Sequence, residues 1–188
     1  NEDGTYVIGS QRYLYDNNGN IITEYSLDTA RSITRSSFSL LKDNYAFSSF
    51  KANAVFSYNS SGKPRVVKEN NCDVVTYIWG YYSNYPIAVI RGADYPVVRD
   101  LLGGDSAVKA LETAPSPTIS ARELHSKLSK LAGCCVSTYS FNPQIGMVEM
   151  ISPNGESTTY TYDAFSRLAA IKDHNGIVSS SFKYNYKQ

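Results

Sequence analysis

Residues 157–177, STTYTYDAFSRLAAIKDHNGI, decide the fold of this chain because a strand pattern there runs directly into turn-forming residues. Thr158, Tyr160 and Tyr162 alternate with other threonines, which is the period of a β-strand with two different faces. Asp163 to Ser166 follow with residues that favour a turn, since an Asp side chain can accept hydrogen bonds from nearby backbone amides. The stretch therefore predicts antiparallel strands joined by short hairpins.

The same rhythm continues through the C-terminal third of the chain. Turn residues recur about every ten positions, a spacing typical of short antiparallel strands. Asn154-Gly155 and Asn175-Gly176 are the strongest hairpin signals, because Asn and Gly tolerate positive φ. The predicted strands are Val136–Phe141, Met147–Ile151, Ser157–Tyr162, Arg167–Lys172 and Ile177–Tyr186.

The N-terminal half carries a noisier version of this pattern. A hairpin is predicted over residues 12–27, and Phe50–Tyr58 alternates before a turn at Asn59–Gly62. Two further strands are predicted at Asp73–Trp79 and Ile87–Ile90. All of these segments favour β-structure.

Between residues 93 and 133 the periodicity changes to that of helices. Asp94 and Asp105 are suited to cap two short helices. Ser120 and Glu123 match a capping box, in which each side chain satisfies a free amide of the other residue. The third helix carries a leucine stripe at Leu124, Leu128 and Leu131.

These patterns predict an α+β, mainly β fold: an antiparallel β-hairpin meander with a helical insert. We expect one domain over residues 1–188, with β-hairpins at 1–92, the helical insert at 93–133 and a β-hairpin meander at 134–188. We also expect the chain to be a segment of a longer protein, because it opens without Met or a signal sequence.

Amino-acid composition indicates which classes of partner the chain is unsuited to bind. The chain has 18 Lys+Arg and 17 Asp+Glu, so its net charge of +1 does not favour nucleic acid or an anionic membrane surface. No apolar run reaches the roughly 18 residues of a membrane span. Sixteen Tyr, seven Phe and one Trp suit strands whose rings pack on one side. The sequence gives no oligomeric state.

A short motif of an aromatic residue, an Asx residue, two variable residues and a small residue recurs along the chain. We expect the aromatic to end a strand, the Asx side chain to accept the amide hydrogens of the turn, and the small residue to take a left-handed conformation. One such hairpin alone is barely stable, so the unit must stack on its neighbours. The motif positions are Tyr15, Asp16, Gly19, Tyr58, Asn59, Gly62, Tyr162, Asp163 and Ser166, with Arg167 and Leu168 completing the last copy.

These copies resemble the YD-repeat, or Rhs-repeat, family, whose pattern is Tyr-Asp…Gly-Arg-Leu…Asp…Gly. Tyr162 to Ile171 with Asp173 and Gly176 gives the best match, although Ser166 stands where Gly is usual. The resemblance implies a strip of β-hairpins, which in longer members spirals into a hollow shell. Relatives include Rhs toxins, insecticidal toxin-complex subunits, bacterial wall-associated proteins and animal teneurins.

The resemblance implies a non-enzymatic structural or binding segment of an exported or surface-associated bacterial protein. Its partners would be neighbouring repeats of a longer chain or another protein. The sequence lacks the Asp-Pro-x-Gly-Leu self-cleavage motif of toxin-bearing members and has too few hairpins to close a shell.

A different interpretation starts from the aromatic cluster at residues 79–85. Trp79, Tyr81, Tyr82 and Tyr85 lie beside polar residues, and aromatic faces next to polar groups are what carbohydrate or peptide recognition uses. The alternative is that these rings belong to the core of the hairpins, as Trp79 does in a looser copy of the motif. Because the motif already accounts for Trp79, the core interpretation is favoured.

Catalytic and metal sites are not indicated. His125 is expected at the surface or boundary of the third helix, and His174 lies in a turn. The three cysteines, Cys72, Cys134 and Cys135, are expected to be small buried hydrophobic residues. No ligand spacing for a metal and no phosphate-binding loop occurs, so no metal or other cofactor is expected.

Overall fold

The computed structural model describes residues 6–7, 9–27, 33–34, 50–69 and 74–185. The chain divides into two compact units, residues 1–72 and residues 73–188. Each unit is described by itself below. The organisation of the whole chain as a single domain stays a prediction.

The N-terminal unit is built from antiparallel strands. Strands β2, β3, β5 and β6 are neighbours in that order within one sheet, and β1 pairs with β4. Their bounds are β1 Tyr6–Val7, β2 Gln11–Tyr15, β3 Ile21–Leu27, β4 Ile33–Thr34, β5 Phe50–Tyr58 and β6 Pro64–Glu69. The two hairpins predicted from the turns after Tyr15 and Tyr58 are confirmed.

The C-terminal unit is a meander interrupted by helices. Strands β7 to β13 lie in the sheet in chain order, each antiparallel to the next. The elements are β7 Val75–Gly80, β8 Tyr85–Arg91, α1 Tyr95–Leu102, α2 Asp105–Thr113, α3 Ala121–Leu128, β9 Cys135–Asn142, β10 Gly146–Ile151, β11 Ser157–Tyr162, β12 Leu168–Lys172 and β13 Val178–Ser181. The mainly β fold with a helical insert is confirmed.

The helices cover one part of this sheet and create the core. Buried side chains of the three helices meet those of β7, β8 and β9. Each of these strands also contributes one small, fully buried residue, which is Thr76, Ala88 or Thr138. Burial of this apolar surface is the main stabilising contribution, about 25 cal/mol per Å² removed from water. The largest members are Ile78, Ile87, Ile90, Val98, Val108, Leu124, Leu128 and Val136.

Two buried threonines connect the sheet to the helical insert. The Thr76 hydroxyl donates to the Ala93 carbonyl at 2.7 Å, and the Thr138 hydroxyl donates to the Ala121 carbonyl at 2.8 Å. Both side chains are completely buried, so these bonds satisfy groups that water does not reach. The start of α3 is thereby held at a defined position on β9.

The helix ends follow the predicted chemistry with two corrections. The Asp94 side chain accepts from the Tyr95 amide, and Ser120 and Glu123 form the full capping box. Asp105, however, is the first residue of α2 and not its cap, since Gly104 holds the capping position. Leu131 lies beyond α3, whose stripe ends at Leu128 because the chain turns at Ser129.

The last predicted strand, Ile177–Tyr186, is too long. Strand β13 ends at Ser181, and Tyr184 lies beyond its end. The Tyr184 hydroxyl donates to the Leu168 carbonyl on the neighbouring strand. Tyr186 lies outside the described residues.

Candidate functional site

The repeated turns have one backbone geometry. In each, the amide of the Asx residue donates to the carbonyl four residues later, and the amide three residues later donates back to the Asx carbonyl. These bonds are 2.9 and 3.1 Å at Asp16, 2.9 and 3.0 Å at Asn59, and 2.9 and 3.0 Å at Asp163. We call these three turns the corners.

The Asx side chain closes each corner. Its Oδ1 accepts from the amides two and four residues later, at 2.9 and 2.8 Å for Asp16, 3.0 and 2.9 Å for Asn59, and 2.8 and 3.0 Å for Asp163. The turn amides that β-pairing leaves unused thus find an acceptor. The Asx side chain therefore accepts the amide hydrogens of the turn, as the motif predicted.

The small residue of each corner has a left-handed backbone. Gly19 and Gly62 have φ of 82° and 72°, and Ser166 has φ of 59°. A residue with a Cβ is strained in this region, so Ser166 is a less favourable occupant than Gly. The backbone, and not the side chain, explains why the motif needs a small residue here.

The charged corners are further stabilised by their own side chains. The Asn20 side-chain amide donates to Asp16 Oδ2 at 2.9 Å and is the main cause that lowers the pKa of Asp16. The Arg167 guanidinium donates to Asp163 Oδ2 at 2.8 Å and is the main cause that lowers the pKa of Asp163. Asn59 occupies the same position without charge.

The motif tyrosines connect one hairpin to the previous one. The hydroxyls of Tyr58, Tyr162 and Tyr184 donate to the carbonyls of Ile21, Met147 and Leu168, at 2.6, 2.7 and 2.9 Å. In every case the accepting carbonyl belongs to the fifth residue after the Asx residue of an earlier turn, which is Asp16, Asn142 or Asp163. We call these three bonds the tyrosine ladder.

The ladder identifies a motif copy that sequence reasoning missed. Tyr184 is followed by Asn185 and makes the ladder bond, although only its aromatic and Asx residues resemble the motif. The Arg167 guanidinium lies 4.4 Å from the centre of the Tyr184 ring, so the corner at Asp163 also supports the ring by a cation–π contact. The spacing from Tyr162 to Tyr184, close to that between Phe141 and Tyr162, is the signal that could have found it.

A further corner lies at Asp173, which together with Gly176 completes the family pattern matched from the sequence. Its Oδ1 accepts from the amides of Asn175 and Ile177, both at 2.9 Å, and Gly176 has φ of 77°. The sequence predicted the turn from Asn175-Gly176, but Lys172 stands where the aromatic residue of the motif is expected. The Asx corner is therefore independent of the tyrosine that usually precedes it.

The aromatic cluster at 79–85 is divided by the structure. Tyr85 stacks on Phe141 with ring centres 4.6 Å apart, and Trp79 packs at a tilt against Tyr77. Tyr81 is 5% exposed, whereas Tyr82 is 62% exposed. Tyr81 and Tyr85 meet edge to face with ring centres 5.7 Å apart, whereas Trp79 packs on Tyr77 and Tyr82 faces solvent.

The turn that carries this cluster is strained. Tyr81, Tyr82 and Ser83 have φ of 53°, 58° and 59°, three successive left-handed residues with side chains. Such backbone costs about 1–3 kcal/mol a residue and persists only where surrounding contacts enforce it. Those contacts are Phe141 N to Tyr81 Oη at 3.0 Å, Tyr82 N to the Ala114 carbonyl at 3.0 Å and Ser83 Oγ to the Glu112 carbonyl at 3.4 Å.

A cavity of about 250 Å³ lies beside this turn. Tyr81 and Tyr139 contribute aromatic rings, and the segment Ser116–Ala121 before α3 forms another wall. Tyr81 is the only one of the four predicted aromatics among its lining residues. Tyr139 and the hydroxyl residues of the wall were missed, because nothing in the sequence brings them next to Tyr81.

The histidines and cysteines do not assemble into a recognisable centre. His125 is 9% exposed and buried on the α3 face that bears Leu124 and Leu128, deeper than the predicted surface or boundary position. Cys135 is exposed and Cys134 half-buried, contrary to the expectation of burial, while Cys72 lies outside the described residues. In the ranges that the structure describes, no group of three His, Cys, Asp or Glu side chains could hold a metal ion.

The helices of the described residues are short. None of the helices found there is both long enough and apolar enough to cross a bilayer.

Comparison with known proteins identifies the repeat. Residues 147–178 match the family model described as RHS Repeat. Among curated proteins, none matches this sequence.

The solved structures to which this chain is similar are much longer than it is. The crystal structures of TcdB2-TccC3-Cdc42 and of TcdB2-TccC3 without its hypervariable C-terminal region are each 11% identical to it, with a TM-score of 0.49. In both, the likeness covers 88% of this chain and 8% of the other. A Tc holotoxin pore from Photorhabdus luminescens has 9% identity and a TM-score of 0.27, over 93% of this chain and 11% of the other. The segment at 147–178, with its Asx corner and its ladder tyrosine, matches the RHS repeat, and the predicted resemblance to the YD/Rhs-repeat family is confirmed over these residues.

Proposed function

We propose that this chain is a non-enzymatic structural segment of an exported or surface-associated bacterial YD/Rhs-repeat protein, and that it builds part of a β-scaffold or shell. The tyrosine ladder is the observation that carries the proposal. The same bond, from the motif tyrosine to the carbonyl five residues after the Asx residue of an earlier turn, occurs in both units. A chemical site would not need this repetition, whereas a scaffold that grows by adding hairpins does.

The ladder joins hairpins that the backbone pairing alone holds weakly. The strands β10 to β12 are half-exposed on both faces, so little apolar burial stabilises this part of the sheet. A hairpin without a covered face is barely stable. The hydrogen bonds of the corners and of the tyrosine ladder therefore stabilise this part of the sheet, where few apolar side chains are fully buried.

The partner that fits this scaffold is another repeat. Within the described residues, β13 pairs with β12 and lies at the edge of the sheet, with all four of its residues exposed. Tyr184 already makes the ladder bond that precedes a corner. The outer edge of β13 would therefore accept a further hairpin of a longer chain or of another protein, by main-chain pairing.

Hydrogen exchange tests the scaffold role. The triple variant with Tyr58, Tyr162 and Tyr184 changed to Phe keeps every ring and removes only the ladder hydroxyls. We expect faster exchange of the corner amides at Asn20, Lys63 and Arg167, because the hairpins open more often. The exposed Tyr82→Phe change is the matched control. Unchanged exchange at all three corners would mean that the ladder does not hold the scaffold together.

Proteolysis of intact cells tests the surface location. In the source bacterium, an added protease should remove the segment that this chain represents without lysis. If cleavage requires lysis, the protein is not displayed and the exported location is wrong.

The second candidate function is a carbohydrate- or peptide-binding module at residues 79–85. The cavity beside Tyr81 favours it, since it joins one predicted residue to a second ring and to several hydroxyl groups. Trp79, Tyr82 and Tyr85 are not among the lining residues, so a ligand there would use only Tyr81 of the original cluster.

A further inference from the structure

We propose that the cavity between the strained turn and the segment Ser116–Ala121 binds one neutral sugar unit. The inference rests on the second candidate function and is independent of the scaffold role. It assigns the site to Tyr81, Tyr139, Ser116, Thr118 and Ser140. None of the residues that line the cavity carries a charge.

The absence of charge among the lining residues selects the ligand class. Phosphates, carboxylates and metal ions bind where charged side chains or converging backbone groups compensate them. An uncharged ligand does not need a charged partner and can therefore bind in this cavity. The chemistry of the walls is therefore that of an uncharged, polar molecule.

The hydroxyl groups of the lining residues can both donate and accept hydrogen bonds. Each serine or threonine hydroxyl both donates and accepts, which matches ligand hydroxyls that do the same. Among the described residues, none hydrogen-bonds the side chains of Ser116, Thr118 or Ser140. Ser120 is different, because its hydroxyl already bonds Glu123 in the capping box at 2.7 Å. Three hydroxyls remain available to a ligand.

The rings and aliphatic side chains supply the apolar part. Tyr81 and Tyr139 stand beside Ile87, Ile119 and Leu124 around the same space. Sugars present C–H groups on one side of the ring and hydroxyls around its rim, and aromatic rings with polar handles suit both. The volume of about 250 Å³ lies below the 300–1,000 Å³ of sites for drug-sized ligands, so it suits one sugar ring and not an extended chain.

The strained turn holds the cavity open in advance. The Tyr81 hydroxyl accepts from the Phe141 amide, which orients its ring, and the Tyr82 amide donates to Ala114 at the start of the facing segment. Pro117 packs on Gly80 so closely that a Cβ there would lie 3.2 Å from Pro117 Cγ. Both walls are thus tied to the same turn. Strain concentrated beside a ligand site is consistent with pre-organisation.

Two-dimensional amide NMR of the full chain tests the assignment. The probes are the methyl glycosides of glucose, galactose and mannose, with N-acetylglucosamine and the charged sugar glucuronate. We expect saturable shifts of amides at residues 116–121 and 139–140 with at least one neutral probe, and weaker binding of glucuronate. Thr118→Val and Ser140→Ala each keep the fold and should weaken binding about 3–10-fold, as loss of one neutral hydrogen bond does.

Tyr82→Ala is the matched control, because it changes an exposed ring of the same turn outside the cavity. Its affinity should equal that of the unaltered chain. No saturable shift with any neutral probe would overturn both this site and the second candidate function. Shifts clustered elsewhere, or affinity that falls with Tyr82→Ala but not with Thr118→Val or Ser140→Ala, would overturn this site while leaving a binding module. None of these outcomes bears on the tyrosine ladder.

Discussion

The hydroxyl of Tyr162 on β11 lies 2.7 Å from the backbone carbonyl of Met147 on the neighbouring strand β10, to which it donates a hydrogen bond. Tyr162 ends β11, and Met147 begins the return strand after the turn at Asn142. A side chain therefore sets the position of one hairpin on the backbone of the hairpin before it. Main-chain pairing alone allows neighbouring strands to shift in register, whereas this side-chain bond can form in only one register.

Changing Tyr162 to Phe should lower the free energy of unfolding of the C-terminal unit by about 1 kcal/mol. The ring remains, but the half-buried Met147 carbonyl loses its partner. Urea unfolding followed by fluorescence measures the change. Tyr82→Phe, on an exposed ring of the same unit, should leave the midpoint unchanged. Equal midpoints for all three proteins would contradict a stabilising role for the bond.

Changing Ser166 to Gly should stabilise the same unit by about 0.5–1 kcal/mol. Ser166 has φ of 59°, and Gly adopts this conformation without the Cβ strain. Gly155→Ser is the reverse control, since Gly155 has φ of 85° and no atom within 4 Å of a built Cβ. It should destabilise through the backbone alone. Thermal unfolding that moves both variants in one direction would contradict this explanation.

Changing Asp163 to Asn should remove part of the acid sensitivity of the C-terminal unit. Arg167 holds the pKa of Asp163 below its usual range, so the carboxylate stabilises the fold above its unfolded pKa of about 3.9 and loses that contribution as the pH falls through the folded value. Asn keeps the Oδ1 acceptor, as Asn59 does in its corner. The two proteins should differ in stability at pH 7 and converge below about pH 4. A gap of equal size from pH 7 to pH 2 would exclude the charge as its cause.

Changing Thr138 to Val should destabilise the helical insert by about 1–3 kcal/mol. The two side chains have the same shape, but Val leaves the Ala121 carbonyl without its buried donor. Thr161→Val is a control on the same sheet, because Thr161 is exposed. Exchange of the α3 amides should rise in the first variant and not in the second. Unchanged α3 protection in Thr138→Val would show that helix packing alone positions α3.

Changing Gly80 to Ala should cost about 1–3 kcal/mol through overpacking. A Cβ there would lie 2.8 Å from Ile87 Cγ2 and 3.2 Å from Pro117 Cγ, so buried groups must move. Gly9→Ala is the control, since no atom lies within 4 Å of its built Cβ. Equal melting temperatures for both variants would contradict the close packing of Pro117 on the turn.

The sequence by itself determined the corners. Asp16, Asn59 and Asp163 bond amides only two and four residues away, and Ser120 and Glu123 cap a helix within one turn, so local spacing was sufficient to predict them. The alternation of β11 was visible for the same reason, because strand faces follow a period of two.

Only the tertiary structure decided which residues meet across the chain. The partner of Tyr162 is fixed by the pairing of β10 with β11, and Tyr184 acts as a motif residue through a bond to Leu168. Tyr81 and Tyr139 line one cavity because β7, β8 and β9 are neighbours in the sheet. His125 is deeper and Cys135 more exposed than predicted for the same reason. Burial and long-range contacts depend on the packing of whole elements, and no local period in the chain encodes that packing.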